Sequence, residues 1–320
     1  MPLSRSSNCQ VRRLPLLLVT ALLPASLALA VLEADNEPRN LVRGGNFERE
    51  AVSLRLPSVS PFPLVAGGWG SRAAQARHVT STSHDPYRGN RALQIISPAA
   101  TPAYVIQDVP VASRGFVFEI AVRLVRGEQS IAFLSTWNRM DPAAAAGLRI
   151  DLHANGLRIH GDRGDWHIDT SISTDAWHHV LLASDPRSDQ LTVTVDGTLL
   201  ASLPAVPASA PQTLVIGGNP TRGVSRARYD EVRLLRMAEL ELAALRRSAL
   251  RNVPEPQLDY VMKRLDDAAW ALSSGADSFA APELRAAVRT VARLGSDDEN
   301  TGLRALIAAT EGLIELVSAP

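Results

Sequence analysis

The sequence predicts an all-β jelly-roll sandwich followed by a small α-helical C-terminal subdomain. From residue 40 to about residue 237, apolar and polar residues alternate in short runs separated by glycine, proline, asparagine and aspartate. This period of two is typical of antiparallel strands that bury one face. Beyond Met237 the apolar residues recur every three or four positions, as they do in amphipathic helices. Many short strands without intervening helices favour two stacked sheets.

The clearest strand is predicted at residues 115–125 (GFVFEIAVRLV), where the apolar residues share one face and Glu119 and Arg123 lie on the other. A register shift of one residue would bury both charges, so the pairing of this strand is strongly specified. Asn155-Gly156 and Asp196-Gly197 each separate two alternating runs. Such dipeptides are typical of tight hairpin turns, so we expect two hairpins there.

Three amphipathic segments are predicted in the tail. Their apolar residues are Leu258, Val261, Leu265, Ala268 and Leu272, then Leu284, Val288, Val291 and Leu294, then Leu303, Leu306, Ile307, Leu313, Ile314 and Val317. Residues 296–299 (SDDE) match a capping box that begins the last helix. Each apolar stripe must be buried against another surface. The simplest expectation is that the other helices or the edge of the sandwich bury it, and the alternative is that a partner protein does.

The N-terminus is typical of a signal peptide. Three arginines precede an apolar run at residues 14–29, and Ala28-Leu29-Ala30 matches a signal-peptidase site. The run contains Pro24 and is shorter than the ~20 apolar residues of a spanning helix. We therefore expect a signal peptide at 1–30, a linker at 31–39 and an exported protein, periplasmic or extracellular, without a membrane span. A retained membrane anchor is the alternative.

Composition and the absence of known catalytic motifs argue against several classes of function. Basic and acidic residues number 33 each and no basic run occurs, which argues against a nucleic-acid partner. The nucleophile-elbow, zinc-hydrolase and phosphate-loop motifs are absent from the sequence. The spaced carboxylates of residues 33–37 (EADNE) lie outside any alternating run, so we interpret them as coincidental. No catalytic residue is predicted, and non-catalytic binding is favoured over enzyme activity.

Six segments resemble, in the expected order, the laminin G-like domains of the concanavalin A-like lectin superfamily. They are 89–95 (GNRALQI), 115–122 (GFVFEIAV), 175–180 (DAWHHV), 191–197 (LTVTVDG), 214–218 (LVIGG) and 229–234 (YDEVRL). Residues 238–245 resemble the short helix that often follows. Residues 40–48 (NLVRGGNFE) resemble instead the opening strand of jelly-roll carbohydrate-binding modules. Both resemblances imply a sandwich at 40–237, followed by a helical tail at 238–320.

Two adjacent histidines, His178 and His179, follow Trp177 in one of these segments. The resemblance implies that Trp177 and one of the histidines are framework residues. Neighbouring residues of a strand point to opposite faces, so the two histidines cannot bind one metal ion or act as one catalytic dyad in regular geometry.

A row of outward-facing polar residues is the predicted ligand-binding face. It comprises residues on both strands of the hairpin at Asn155-Gly156, with Trp166 in a following loop at 161–167 and Trp137 in another turn-rich segment. Sugar recognition combines planar aromatic rings with fixed polar groups. The predicted ligand-binding residues are therefore Arg149, Asp151, His153, Arg158, His160, Trp166 and Trp137. A solvated sheet face with a buried tryptophan is the alternative.

The likeness to carbohydrate-binding modules implies a structural calcium ion. Glu48 at the end of the first motif and Asp230 near the last strand would supply hard oxygen ligands. The alternative is that both are ordinary polar residues at strand ends, or partners of Arg226 and Arg228.

Together these observations predict an exported, non-catalytic protein that binds a glycan or a cell-envelope component. One alternative is a structural adaptor that assembles with proteins through the sandwich and the tail, which an uncovered apolar helix face would favour. The other is a polysaccharide hydrolase or lyase on the same fold, which clustered carboxylates or a His-Tyr-Arg group in one cleft would favour.

Overall fold

The computed structural model describes residues 39–42, 44–48, 64–66, 69–71, 78–98, 103–109, 114–134, 146–218, 223–294 and 301–318. In these residues, two antiparallel sheets stack into a sandwich and helices follow it, so the predicted jelly-roll fold with a helical C-terminal part is confirmed. The expected signal peptide, the capping box at 296–299 and Trp137 lie outside the described residues, as does the linker apart from its last residue.

The strands of the described residues form one eight-stranded and one seven-stranded sheet. In chain order they are β1 (Leu64–Ala66), β2 (Trp69–Gly70), β3 (Val79–Thr82), β4 (Ala92–Ser97), β5 (Tyr104–Asp108), β6 (Phe116–Arg126), β7 (Gln129–Leu134), β8 (Ala146–His153), β9 (Gly156–Gly161), β10 (Gly164–Asp169), β11 (Trp177–Asp185), β12 (Gln190–Val195), β13 (Thr198–Leu203), β14 (Thr213–Gly217) and β15 (Ser225–Arg236). The eight-stranded sheet has the order β1-β2-β5-β14-β7-β8-β9-β10, and the seven-stranded sheet has the order β13-β12-β11-β6-β15-β4-β3.

Strand β6 lies at the centre of the seven-stranded sheet, between β11 and β15. Its apolar face is fully buried, as the alternation predicts, and Phe116 and Phe118 meet Phe133 of the other sheet at ring-centroid distances of 5.1 and 5.0 Å. Glu119 and Arg123 alternate with these residues on the opposite face of the strand, where Glu119 is only 9% exposed and Arg123 is partly exposed. Burial of this apolar face is the main force that joins the two sheets.

Both predicted hairpins are present. His153 of β8 pairs with Gly156 of β9, and Val195 of β12 pairs with Thr198 of β13. In the second turn Asp196 has a φ of 50° and Gly197 a φ of 77°. A two-residue turn of this kind needs positive φ at both positions, which aspartate tolerates and glycine adopts freely.

Four helices follow β15 within the described residues: α1 (Met237–Asn252), α2 (Gln257–Ser273), α3 (Asp277–Leu294) and α4 (Thr301–Ser318). They cover each other's apolar stripes, because α1 packs on α2 and α4 while α3 packs on α2 and α4. Trp270 of α2 and Phe279 of α3 remain exposed. No helix of the described residues has an apolar stretch long enough to cross a lipid bilayer.

Two arginines of the sandwich form ion pairs and hydrogen bonds with the helices. Arg187, in the turn between β11 and β12, donates to Glu241 of α1 at 2.6 Å and to the carbonyl oxygen of Gly312 in α4 at 3.1 Å. Burial alone would lower the pKa of Arg187, but hydrogen bonds to Asp185 and Glu241 outweigh it and raise the pKa above its ordinary value. Arg236, at the end of β15, binds the Asp277 carboxylate at 2.5 and 2.6 Å.

We expect Arg187→Ala to lower the free energy of unfolding by about 2–4 kcal/mol, because it leaves two partly buried carboxylates without their cation. The measurement is chemical denaturation followed by circular dichroism. Arg163→Ala is the matched control, since Arg163 pairs with Asp189 at the surface, where both side chains are exposed, and it should change stability by no more than about 0.5 kcal/mol. Equal effects of the two substitutions would contradict the role given to Arg187.

Candidate functional site

The predicted polar row lies on the outer face of β8 and β9, as the register of the hairpin requires. Arg149 lies opposite His160, and Asp151 lies opposite Arg158. The intervening residues of these strands are 0% exposed and lie in the core, so the polar residues must face outward. The neighbouring strand β10 adds three residues to the same face. We call the full set the polar face: Arg149, Asp151, His153, Arg158, His160, Asp165, His167 and Asp169.

Asp151 organises one end of the polar face. It is only 2% exposed, and its carboxylate accepts a hydrogen bond from the Ser130 hydroxyl at 2.7 Å. The same carboxylate lies 3.2 Å from Nε of Arg149 and 2.9 Å from Nε2 of His160. The other ring nitrogen of His160 lies 2.8 Å from Asp165. Asp151 therefore holds Arg149 and His160 in place, and its own oxygens are already engaged.

Two stacked imidazole rings form the other end. The rings of His153 and His167 are parallel within 1° at a centroid distance of 5.2 Å, and His167 is 2.8 Å from Asp169. His153 is 8% exposed, and its Nε2 has no hydrogen-bond partner among the described residues. Burial first, and then the positive charge of Arg158, lowers the pKa of His153. The inner ring of the stack is therefore a neutral imidazole at neutral pH.

A surface pocket of about 490 Å³ opens beside this stack. It is lined by Gly127, Glu128, His153, Ala154, Asn155, Arg158, His167, Asp169 and Thr174. These residues bring planar rings, a guanidinium, carboxylates, an amide and a hydroxyl to one concavity, which is the mixture that recognises small polar ligands. No cluster of three His, Cys, Asp or Glu side chains suited to a metal ion occurs in the described part of the chain.

Trp166 differs from its sequence-based placement. We expected a loop at 161–167, but the structure has a short turn and then β10, on which Trp166 lies opposite Ile159. Its indole therefore points inward and packs against the core, whereas its neighbours Asp165 and His167 face outward. The glycines at 161 and 164 suggested a loop, and the alternation in residues 165–169 (DWHID) was the missed signal. Trp137 lies outside the described residues.

Sequence reasoning also missed several residues of the pocket. Glu128 and Thr174 come from turns on either side of the hairpin, and Asp169 comes from β10. Only the alternation along β10 carried a local signal for any of them. The turns that carry Glu128 and Thr174 lie beside the pocket only because strands that are distant in the sequence pair with each other.

The histidine pair near Trp177 has structural contacts. Nδ1 of His178 lies 2.7 Å from Asp196, and its Nε2 lies 2.9 Å from the Ser173 hydroxyl. The backbone amide of His179 donates to the same aspartate at 2.8 Å. His178 is buried and His179 is partly exposed, so each ring has a different environment and they do not form one site.

Glu48 and Asp230 approach the turn at residues 88–91 from two sides. Glu48 accepts the backbone amide of Asn90 at 2.6 Å, and this hydrogen bond is the main cause of its lowered pKa. Asp230 is 0% exposed and accepts the backbone amide of Arg88 at 3.0 Å. Burial raises the pKa of Asp230 to about 6. These side chains supply two carboxylates, so a calcium ion here would need further oxygens from backbone carbonyls or water.

Comparisons with known proteins give only distant similarity. No protein-family model matches the chain, and no curated protein matches it. Among solved structures, a sialidase is 14% identical with a TM-score of 0.41 and matches 57% of this chain, which spans 19% of the sialidase. The carbohydrate binding module CBM66 from Bacillus subtilis is 15% identical with a TM-score of 0.34, covering 52% of this chain and 95% of the module. The Emp47p carbohydrate recognition domain is 13% identical with a TM-score of 0.40, covering 64% of this chain and 99% of the domain.

We expect His153 to titrate below the ordinary histidine pKa of 6.5 and its pKa to rise in Arg158→Gln, because that substitution removes a nearby positive charge. The unfolded chain then binds more protons than the folded one just below pH 6.5, so the free energy of unfolding contributed by His153 falls as the pH falls. NMR titration of the imidazole protons measures both pKa values. A pKa at or above the ordinary value would contradict the buried, neutral ring.

Proposed function

We propose that this protein binds a saccharide, without catalysis, in the pocket on its polar face. The observation that carries the proposal is the convergence of the stacked His153 and His167 rings with Arg158 and Asp169 around one concavity. Planar rings favour contact with the C–H faces of a sugar, and fixed charged groups suit its hydroxyls.

The positions of these groups are set by the sheet. His153, Arg158, His167 and Asp169 lie on three adjacent strands, whose backbone pairing fixes the spacing of their side chains. Arg158 is exposed and offers several donors, while Asp169 and Glu128 offer acceptors. Polar groups on rigid strands lose little conformational entropy on binding, which favours recognition of a weakly hydrophobic ligand such as a sugar.

The laminin G-like assignment and export are parts of the same proposal. The six segments that resemble laminin G-like domains coincide with β4, β6, β11, β12, β14 and β15, so they belong to strands that form the two sheets. The apolar run at residues 14–29 with its signal-peptidase pattern supports export to a compartment where free glycans and envelope polymers occur.

A glycan array probed with the protein should give saturable binding to at least one saccharide. We expect Arg158→Ala and His167→Ala each to weaken that binding about tenfold or more, because each removes a directly contacting group worth roughly 1.5–3 kcal/mol. Arg163→Ala, in the turn between β9 and β10, is the matched control and should bind as the wild type does.

Two results would contradict this proposal. Binding that is unchanged in both pocket variants would place the ligand elsewhere on the molecule. Release of reducing ends or of unsaturated sugars from the bound polysaccharide, lost in His153→Asn, would show that the pocket is an active site of the hydrolase or lyase type.

Calcium at Glu48 and Asp230 is a separate proposal. A buried carboxylate with a raised pKa beside a second carboxylate is a site where a cation relieves both burial and repulsion. Without calcium, the raised pKa of Asp230 makes its ionisation unfavourable in the fold, so its contribution to stability is lost as the pH rises from 3.8 through about 6.

Calcium should therefore raise the melting temperature at pH values above about 6, where Asp230 is ionised, and raise it less at lower pH. Asp230→Asn should abolish the calcium effect, whereas Asp189→Asn, a surface control, should preserve it. Differential scanning fluorimetry across this pH range provides the measurement. A melting temperature that is independent of calcium at every pH would rule out the site.

A further inference from the structure

Three arginines lie together on the outer face of the seven-stranded sheet. Arg228 of β15 pairs in register with Gln94 of β4 on one side and with Arg123 of β6 on the other. Arg226 lies two residues before Arg228 and so shares its face. We call Arg123, Arg226 and Arg228 the arginine cluster. It belongs to the opposite sheet from the polar face, so the two surfaces do not share residues.

The positive charge of the arginine cluster is incompletely balanced. Arg123 has two carboxylate partners, Asp85 and Asp175. Arg226 donates to the side-chain oxygen of Gln94 at 3.1 and 2.6 Å, and Arg228 donates to that same oxygen at 3.5 Å. Two guanidinium groups therefore share one neutral acceptor, and no carboxylate pairs with either among the described residues.

One donor of the buried Arg228 side chain has no hydrogen-bond acceptor among the described residues. Arg228 is 5% exposed, and its Nη1 is buried without a hydrogen-bond partner in the described part of the chain. Burial first, and then repulsion from Arg123 and Arg226, lowers the pKa of Arg228. A buried donor left unpaired costs about 1–3 kcal/mol, and more when it is charged. An anion bound between Arg226 and Arg228 would remove that cost and supply the missing negative charge.

Two aromatic rings adjoin the arginine cluster. Trp177 pairs in register with Arg123, and its Nε1 donates to the backbone oxygen of Asp85 at 3.2 Å. The Tyr87 ring lies 5.7 Å from the Trp177 ring at an angle of 58°, and Tyr87 is 45% exposed. Asp85 contacts both Arg123 and Trp177, so one residue joins the indole ring to the first arginine of the cluster.

We propose that this surface is a second binding site, which takes the acidic group of a carboxylated or sulfated saccharide. Arg226, which is partly exposed, and Arg228 beneath it bind the anion, and the exposed ring of Tyr87 packs against the sugar. Guanidinium groups match the geometry of carboxylates and sulfates, because they donate through two parallel hydrogens. Three arginines flanked by two aspartates make too small a basic area for a nucleic-acid backbone.

The test measures binding of the protein to four polymers by isothermal titration calorimetry at low salt. Polygalacturonate carries carboxylates on sugar rings, heparin carries sulfates as well, dextran is a neutral polysaccharide, and polyglutamate carries carboxylates without sugar rings. We expect polygalacturonate or heparin to bind and to weaken as salt is added, and dextran and polyglutamate to bind at least tenfold more weakly. The stronger of the two acidic polysaccharides identifies the preferred acid group.

Three variants locate the site. Arg226→Gln should weaken binding about tenfold and Tyr87→Ala by a smaller factor, because the first loses a charge-assisted hydrogen bond and the second a packing contact. Arg233→Gln is the matched control, since Arg233 lies on the same strand but already pairs with Glu231 at 3.4 Å. Arg226 is partly exposed, so its variant should keep the wild-type melting temperature, which confirms that it folds.

Several results would overturn the inference: no binding of either acidic polysaccharide, equal losses in Arg226→Gln and Arg233→Gln, or polyglutamate binding as tightly as polygalacturonate. The last of these would indicate an acidic peptide as the partner. Arg158→Ala, on the polar face, should leave this binding intact. Loss of acidic-polymer binding in Arg158→Ala alone would instead assign the polymer to the pocket of the polar face and leave no role for the arginine cluster.

Discussion

Burial of one face of each central strand is the constraint on which the rest of this structure depends. The apolar face of β6 packs against β7 of the other sheet, through Phe118 and Phe133 among others. Because side chains alternate along a strand, this burial also decides which polar residues face outward. The same rule, applied to β8, places Arg149, Asp151 and His153 on one outer face. The positions of both candidate sites are therefore determined by which strand faces the core buries.

The two outer faces differ in how their charges are balanced. On the polar face the carboxylates of Asp151, Asp165 and Asp169 each lie within hydrogen-bond distance of a histidine ring. On the opposite sheet Arg226 and Arg228 converge on the single oxygen of Gln94. A balanced face with mixed donors and acceptors suits hydroxyl groups, whereas an excess of guanidinium groups suits an anion. The molecule thus presents two chemically distinct surfaces on one rigid sandwich.

The sequence predicts those features that depend on local pattern. The faces of β6, the presence of the two hairpins and the amphipathic helices all follow from spacing and turn chemistry, although the first turn lies at residues 154–155, one position before the predicted Asn155-Gly156. The arginine cluster could not be predicted in this way, because Gln94, Arg123 and Arg228 are distant in sequence and meet only through strand order. Trp166 was misplaced because glycines at both ends of a two-residue turn resemble a longer loop. The spacing of residues along the sequence does not show which distant strands pair with each other.

The most direct test of the account is hydrogen–deuterium exchange with and without the neutral saccharide that binds most tightly, since it maps a ligand onto the backbone without any substitution. We predict slower exchange at the amides of β9 and β10 and of the turn at residues 127–128, with α1 to α4 unchanged. Protection confined to the helices, with β9 and β10 exchanging as in the free protein, would contradict the central claim that the outer face of the eight-stranded sheet is a binding surface.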